Sequence, residues 1–342
     1  MKFAATMLVL GSTVLLLLLP PDARPDENSR EKQESTCSTS AEKALENCSA
    51  QLPEDATQDP AETEAKKKGG PLHSWLHMGA EAQTRQPDWL SPLATTSGRL
   101  KQELRYDIWD QPSALGNRTY QFGGNKGLEF ITTSRTQVLM GLPTYTLVSP
   151  SGPPGGFGDL PLQLKFRIAS AERSEGNYLL TFILAATAPT GSHRYGAGDG
   201  VLTPTIAAGK GRGRFDVQST FGANLPTGST TKLGRQLQWN TAFQYRAAWK
   251  LWPELEVNST FYKTGPHSGE KQVFLTPGLG FGRVRLRKGL RFSSAAGMQI
   301  AVTRFHTYDH RWMFSARLVE QWQVTCATLL LRLWRCEEKH SD

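Results

Sequence analysis

The stretch Gln236–Trp249, QLQWNTAFQYRAAW, carries the clearest indication of the fold. Most of its odd-numbered positions carry apolar or aromatic side chains, and most of its even-numbered positions carry polar ones. Side chains on a β-strand point alternately to its two faces, so this period of two predicts a strand with one apolar and one polar face. The run of fourteen residues is long for a soluble protein, in which strands typically have about 5–6 residues.

The same alternation recurs along the chain. It is clear in Leu160–Ala169, Phe215–Leu225, Glu254–Phe261 and Met298–Thr303. We count about twelve such segments between Gly98 and Leu318, separated by turns that contain Gly, Pro, Asn or Asp. The pattern therefore predicts an all-β domain.

Composition and charge restrict the classes of protein that this chain can form. Hydrophobic residues make up 38% of the chain and the mean hydropathy is −0.42, which excludes a helical membrane bundle. The segment Asp22–Lys68 holds 7 basic and 12 acidic residues, a net charge of −5, whereas Arg99–Arg317 holds 27 basic and 13 acidic residues, a net charge of +14. Since the basic residues are spread singly along the predicted strands, we expect no nucleic-acid partner.

The amino terminus has the pattern of an export signal. Lys2 precedes the apolar run Phe3–Leu19, and Pro20-Pro21 closes it, so we predict a signal peptide over residues 1–23. A single membrane anchor is the alternative, although the run of 17 residues is short beside the ~20 that span a bilayer.

A polar stretch, residues 24–96, follows this signal and is predicted to be a largely disordered spacer, because no apolar periodicity persists within it. Two interpretations of Leu72–Leu93, which contains Trp75 and Trp89, stay open: a plug or docking segment, and a loosely ordered linker. Cys37 and Cys48 form either one local disulfide or two free thiols, and no cysteine or histidine spacing suggests a metal site or a cofactor.

A soluble β-sandwich and a membrane barrel differ in what their apolar faces contact. In a sandwich these faces pack against each other, whereas in a membrane barrel they contact lipid. Strand lengths of ~9–11 residues, Trp and Tyr at strand ends and a preceding export signal all favour a barrel whose apolar face contacts lipid. Closure of the sheet also removes the exposed edges of long amphipathic strands. We therefore predict a closed antiparallel transmembrane β-barrel of about twelve strands over residues 97–320, in a bacterial outer membrane.

Several phrases within Phe157–Arg317 carry a resemblance to a known family. They are GDLP with LKFR at 158–167, TPTIAAGKG at 203–211, WNTAFQY at 239–245, FLTPGL at 274–279, and GMQIA with FHTY at 297–308. In these phrases the chain resembles the bacterial outer-membrane barrel family named for the MetA pathway of phenol degradation, whose members are described as transporters. The resemblance covers about half of the chain, and it implies an outer-membrane barrel that is assembled by the barrel-assembly machinery.

The end of the chain departs from that family, whose barrels are expected to stop on an aromatic residue close to the position of Glu320. Residues 321–342 instead form an atypical tail containing Cys326 and Cys336. Two interpretations stay open for this tail: a further strand over Val324–Trp334, and an altered reading frame.

Charged residues on the polar faces are the candidates for lining a lumen, where low-dielectric walls focus their field on anionic or electron-rich solutes. The alternative is that these inward charges pair with Glu254, Glu256 or Asp216 and simply fill a small barrel. The candidate lumen-lining residues are Lys165, Arg167, Arg246, Glu254, Glu256, Arg283, Arg285 and Arg287.

These patterns lead to a prediction of function. We expect passive movement of a small solute through the barrel, with outer-membrane lipids and lipopolysaccharide as surroundings; the family name alone suggests an aromatic or hydrophobic solute. A non-conducting barrel that anchors the envelope is the alternative. A third hypothesis, a rim-site hydrolase using His193 or His306, lacks a recognisable nucleophile context, so the chain is predicted not to be an enzyme.

Overall fold

The structure, a computed structural model, describes residues 71–114, 116–124, 126–247, 250–287 and 290–320. The predicted signal peptide, the spacer up to residue 70, all four cysteines and the tail 321–342 lie outside the described residues. Neither of the two described helices is long and apolar enough to cross a membrane.

The described chain begins with a helix and continues into strands. The helices are α1 (Pro71–Thr84) and α2 (Thr230–Leu233). The strands are β1 (Glu103–Pro112), β2 (Arg118–Gly123), β3 (Gly127–Ile131), β4 (Thr136–Gly141), β5 (Tyr145–Ser149), β6 (Gly156–Phe157), β7 (Leu160–Ala171), β8 (Tyr178–Ala188), β9 (Val201–Arg212), β10 (Phe215–Pro226), β11 (Gln236–Tyr245), β12 (Leu251–Tyr262), β13 (Lys271–Arg287), β14 (Leu290–Ala301) and β15 (His310–Glu320).

These strands form one closed antiparallel barrel. Neighbours in sequence pair along the sheet, and β15 pairs with β1 over Glu103–Asp110, which closes it. Three strands of the barrel are interrupted, and each consists of two parts: β2 with β3, β4 with β5, and β6 with β7. Both β2 and β3 pair with β1. In the same way β4 and β5 pair with β3 and β2, and β7 and β6 pair with β4 and β5. The barrel thus has twelve strands, as predicted.

The strand that decided the prediction is shorter than expected. It is β11, which ends at Tyr245 rather than at Trp249; Arg246 and Ala247 follow as a turn, and residues 248–249 lie outside the described residues. Three of the other segments lie within β7, β10 and β12. The fourth, Met298–Thr303, belongs to β14 only as far as Ala301, where that strand ends.

The wall presents an apolar face outward. In its middle Phe221 of β10 lies between Ile206 of β9 and Trp239 of β11 in register, and the three side chains are 53%, 43% and 42% exposed. Neighbours of these residues in sequence, such as Thr220 and Ala207, lie on the opposite face of the wall and are buried. The polar residues of the chain therefore line the inside of the barrel, as a membrane barrel requires.

The two ends of the barrel differ. The end with Glu103 and Glu320 has short connections, such as residues 213–214 between β9 and β10, and we call it the short-turn end. The opposite end has longer connections, such as residues 189–200 between β8 and β9, and we call it the long-loop end.

The part of the predicted spacer that the structure describes is ordered, which corrects the prediction for residues 71–96. These residues form α1 and the start of a coil, 85–102, whose side chains from Gln86 to Gln102 are almost all buried. We call residues 71–102 the inner segment, since their contacts are with the inward face of the barrel.

Candidate functional site

The inner segment enters the barrel at the short-turn end. The Trp75 indole Nε1 donates to the Ile131 carbonyl oxygen at 2.7 Å, and Arg167 donates to the Ala82 carbonyl oxygen at 2.6 Å. Ile131 is the last residue of β3, and Arg167 lies in the second half of β7, so both mark this end. Of the two interpretations left open for Leu72–Leu93, the contacts favour the plug.

Glu256, fully buried in the middle of β12, holds the tip of the inner segment. Its two carboxylate oxygens accept hydrogen bonds from the backbone N–H groups of Ala94 at 2.8 Å and Thr95 at 2.6 Å. Asn258 on the same strand also donates to the Thr95 hydroxyl at 3.4 Å. Because both oxygens of one buried carboxyl group accept a backbone N–H, Glu256 anchors this part of the coil.

Two buried arginines bind the other side of the tip. Arg105 of β1 donates to the carbonyl oxygens of Pro92 at 3.1 Å and Leu93 at 2.7 Å, and it pairs with Asp107 at 2.9 Å. Arg317 of β15 donates to the carbonyl oxygens of Ser91 at 2.7 Å and Pro92 at 3.2 Å. The coil is therefore held by the Glu256 carboxyl group at its N–H side and by two arginines at its carbonyl side.

A further network of charges binds the coil where it leads into β1. Lys165 pairs with Glu129 at 3.1 Å and donates to the Arg99 carbonyl oxygen at 3.4 Å. Lys101 pairs with Glu103 at 2.8 Å and lies 4.0 Å from Glu129. Each of these charged side chains thus has a partner, either in the inner segment or among the other charged residues of this network.

Glycines of β9 make room for Trp89 of the inner segment. A Cβ at Gly209 would lie 2.6 Å from the Trp89 ring, and one at Gly211 would lie 2.7 Å from its Nε1. The two glycines belong to the phrase TPTIAAGKG, so in this chain the phrase provides the groove for the Trp89 side chain.

The predicted lumen-lining residues fall into three groups. Lys165, Arg167, Glu254 and Glu256 are buried and point inward; Glu254 accepts from Gln244 at 2.6 Å. Arg246 and Arg283 lie at the short-turn end, where they line a cavity together with Asp88 of the inner segment. Arg285 is exposed at the end of its strand, and the side chain of Arg287 lies outside the described residues.

A β-bulge in β13 explains why the side chains of Arg283 and Arg285 have different surroundings. Phe281 pairs with Ser294 and Val284 pairs with Phe292, so two residues of β13 face one residue of β14. Arg283 lies in the bulge with a φ of 47°, a left-handed conformation. Its side chain pairs with Asp88 and donates to the Trp89 carbonyl oxygen at 2.7 Å.

Arg105 and Arg317, which bind the inner segment directly, and their acidic neighbours Asp107 and Glu129 are not among the residues predicted from the sequence. A signal for Arg105 and Asp107 exists in Glu103–Ile108, where charged residues alternate with apolar ones as in the other strands. Two contacts differ from the alternative prediction for the inward charges: Lys165 pairs with Glu129, and Glu256 binds backbone N–H groups.

The rim histidines do not form a nucleophilic site. His306 uses both ring nitrogens, Nδ1 on the Thr303 carbonyl oxygen at 2.9 Å and Nε2 on the Asp309 carboxylate at 2.8 Å. These two acceptors raise the pKa of His306, the Thr303 carbonyl more than Asp309. His193 is exposed in the loop 189–200. In the described part of the chain, no three His, Cys, Asp or Glu side chains are grouped as a metal would require.

No protein-family model matches the chain and no curated protein matches it, so the family named for phenol degradation is not confirmed. Among solved structures, the chain is similar to an outer membrane channel from Pseudomonas putida F1, with 13% sequence identity, 68% of this chain and 99% of that chain covered, and a TM-score of 0.43. It is also similar to the NanC porin, with 6% identity, 63% and 99% covered, and a TM-score of 0.42. The β domain of the Bordetella autotransporter BrkA follows with 14% identity, 64% and 98% covered, and a TM-score of 0.37.

Proposed function

We propose that this protein is an outer-membrane barrel channel for a small solute, and that the inner segment closes it. The observation that carries the proposal is the division of the wall: large apolar side chains such as Phe221 and Trp239 face outward, while charged and amide side chains such as Glu256 and Gln244 face inward. Such a wall is stable with lipid outside and polar matter inside. Because outer-membrane barrels have short periplasmic turns and longer extracellular loops, the short-turn end faces the periplasm in this proposal.

The inner segment defines the resting state of the proposed channel. Its coil crosses the lumen between Glu256 on one side and Arg105 and Arg317 on the other, all three of them buried. A solute path along the barrel axis therefore requires the coil to move. Its backbone is held by polar and charged side chains, which water and a polar solute can replace. Its apolar contacts with the wall are limited to small clusters, such as Leu93 with Ala295 and Met313.

The solute is proposed to be small, since the barrel has twelve strands and the lumen is narrow. The family resemblance favours an aromatic or hydrophobic body, and the excess of basic residues favours negative charge. Outer-membrane lipids, lipopolysaccharide and the barrel-assembly machinery are the further partners that this location implies.

A tether between the inner segment and the wall tests the proposal. A Cβ at Gly98 would lie 3.0 Å from the Cβ of Ala207, close to the ~3.5–4.5 Å of a disulfide, so Gly98→Cys with Ala207→Cys should cross-link after a small shift. The four native cysteines are first replaced by serine. In planar bilayers the oxidised protein should conduct less than the reduced protein, and Gly98→Cys alone should not respond to reductant.

The second candidate, a non-conducting barrel that organises the envelope, has the filled lumen in its favour. Liposome swelling with solutes of different size and charge separates the two functions. If the reduced protein admits no solute and carries no current, the channel proposal is wrong and the non-conducting barrel takes its place.

A further inference from the structure

A cavity of about 430 Å³ opens at the short-turn end of the barrel, between the inner segment and the wall. Asp88 and Leu90 of the inner segment form one side of it. The turns around Arg214 and Arg246 and the bulge at Arg283 form the other side. Its volume lies within the ~300–1,000 Å³ that is usual for sites of small molecules.

The cavity carries a large excess of positive charge. Five cationic side chains line it together with a single carboxylate, that of Asp88. The cationic residues are Arg214, Arg246, Lys250, Arg283 and Arg291.

Only one of these cations has a described counter-charge. Asp88 pairs with Arg283, and its side chain is 67% exposed. The other four form no ion pair with any acidic residue in the described ranges. Elsewhere on the inward face, Arg105 pairs with Asp107, and Arg317 donates to backbone carbonyl oxygens of the inner segment. The four unpaired cations of the cavity differ in that their side chains have no acceptor in the described ranges, so they can bind an anion.

An apolar surface adjoins these cations. Trp252 of β12 and Leu90 of the inner segment line the cavity, and both side chains are more than nine-tenths buried. Gly282 lies beside the indole, where a Cβ would be 3.2 Å from Trp252 Nε1, so the glycine keeps this edge of the ring open. A ligand here meets a flat aromatic group next to a cluster of guanidinium groups.

We infer that this cavity binds a small organic anion, whose carboxylate or phosphate oxygens lie among the arginines and whose apolar part lies on Trp252. Guanidinium groups bind both oxyanions through paired N–H···O hydrogen bonds, which is why three or four arginines around one cavity select for such groups. The inference rests on the proposed function in one respect: it gives the chemical class of solute that the channel passes at its periplasmic end.

The single carboxylate of the cavity is a competitor for this ligand. Asp88 occupies Arg283, and Arg283 also donates to the Trp89 carbonyl oxygen of the inner segment. An anion that binds Arg283 displaces Asp88. Removal of the Asp88 charge should therefore strengthen binding, an effect that a damaged fold cannot imitate.

Calorimetric titration of the full-length protein in phosphatidylcholine nanodiscs tests the inference. Benzoate and phenyl phosphate are the probes, benzyl alcohol is the neutral analogue and inorganic phosphate is the anion without an apolar part. Both aromatic anions should bind, more weakly as salt is raised, and benzyl alcohol should not. Inorganic phosphate should bind more weakly than phenyl phosphate.

Variants localise the site. Arg214→Gln with Arg246→Gln should weaken binding at least about tenfold, since each removes a charge-assisted hydrogen bond. Arg194→Gln with Arg235→Gln, which removes the same charge from exposed positions in the long loops, should leave the affinity unchanged. Asp88→Asn should strengthen binding severalfold.

Three results would overturn the inference: no binding of either aromatic anion, equal loss in the two double variants, or no gain in Asp88→Asn. Nanodiscs with phosphatidylglycerol identify a lipid as the source of the anion. If a phosphatidylglycerol headgroup binds but benzoate and phenyl phosphate do not, the site is a lipid site and the inference is wrong. Binding is measured without conductance, so a failure of this inference and a failure of the channel proposal are separate results.

Discussion

Arg317 on the last strand donates to the carbonyl oxygen of Ser91, 226 positions earlier in the chain, at 2.7 Å. The arginine side chain is 1% exposed, so this hydrogen bond is made inside the barrel and not at its rim. It joins the strand that closes the barrel to the coil that fills it. The closed wall and the occupied lumen are therefore parts of one folded unit.

Replacement of Arg317 by Met should loosen the coil. The variant removes the donors to Ser91 and Pro92 and leaves both carbonyl oxygens without this partner. Hydrogen bonds to charged groups contribute about 1.5–3 kcal/mol, so amide exchange in residues 90–97 should accelerate about tenfold or more. Hydrogen-exchange mass spectrometry measures this. Arg304→Met, in an exposed loop, is the control, and equal exchange in both variants would contradict the anchoring role.

Replacement of Glu256 by Gln should favour the open state of the channel. The amide keeps the shape of the side chain, but one of the two acceptors for Ala94 and Thr95 becomes a donor that faces an N–H group. We expect longer or more frequent openings in single-channel recordings than in the parent. The matched control is Glu270→Gln, an exposed residue of the long loops. An unchanged open probability would show that this anchor does not control opening.

Replacement of Gly209 by Val should expel Trp89 from its groove, since the new Cβ would lie 2.6 Å from the indole ring. The coil should then expose Arg99 and Lys101, which are 6% and 5% exposed in the docked state. Limited proteolysis with trypsin, followed by mass spectrometry, should detect cleavage at these two residues. Ala208→Val, which changes the outward face of the same strand, should remain resistant. Resistance of both variants would mean that Trp89 does not hold the coil in place.

Replacement of Phe221 by Arg tests whether the outer face contacts lipid. Phe221 lies near the middle of β10 and is 53% exposed. An arginine on the lipid face near the bilayer centre costs about 2–4 kcal/mol, so the free energy of unfolding in vesicles should fall by that amount. Ser192→Arg in the loop 189–200 should have little effect. Little effect of Phe221→Arg would argue against a membrane-spanning wall.

The pKa of His306 should lie above its ordinary value of about 6.5 in the folded protein. The Thr303 carbonyl and Asp309 both favour the protonated ring. Because the folded state then holds the proton more tightly, the contact stabilises the fold below the ordinary pKa, and this contribution is lost as the pH rises through the folded pKa. An NMR titration measures the shift: Asp309→Asn should reduce it, and Asp199→Asn should not.

Much of the wall was predictable because the signal for it is local. The alternation in Leu160–Ala169 and Phe215–Leu225 identifies strands and their two faces from neighbouring residues alone. The same local signal failed at Arg283, where a bulge inserts one residue and turns the side chain toward Asp88. A bulge depends on the partner strand, and the alternation of one strand does not contain that information.

The occupied lumen was not predictable to the same degree. Residues 85–102 have no periodicity, because a coil that binds through its backbone N–H and C=O groups needs no pattern of side chains. One of their partners, Glu256, lies 162 positions after Ala94 in the sequence. Because no local pattern records a contact over such a distance, the residues alone predict a spacer here.

The antiparallel wall of about twelve strands and its outward face can be read from the residues, because a period of two is a property of each strand alone. The contents of the barrel depend instead on the tertiary structure. Charges on strands far apart in sequence, such as Glu256 and Arg317, come together only when the barrel closes, and there they bind the inner segment at both sides of its backbone.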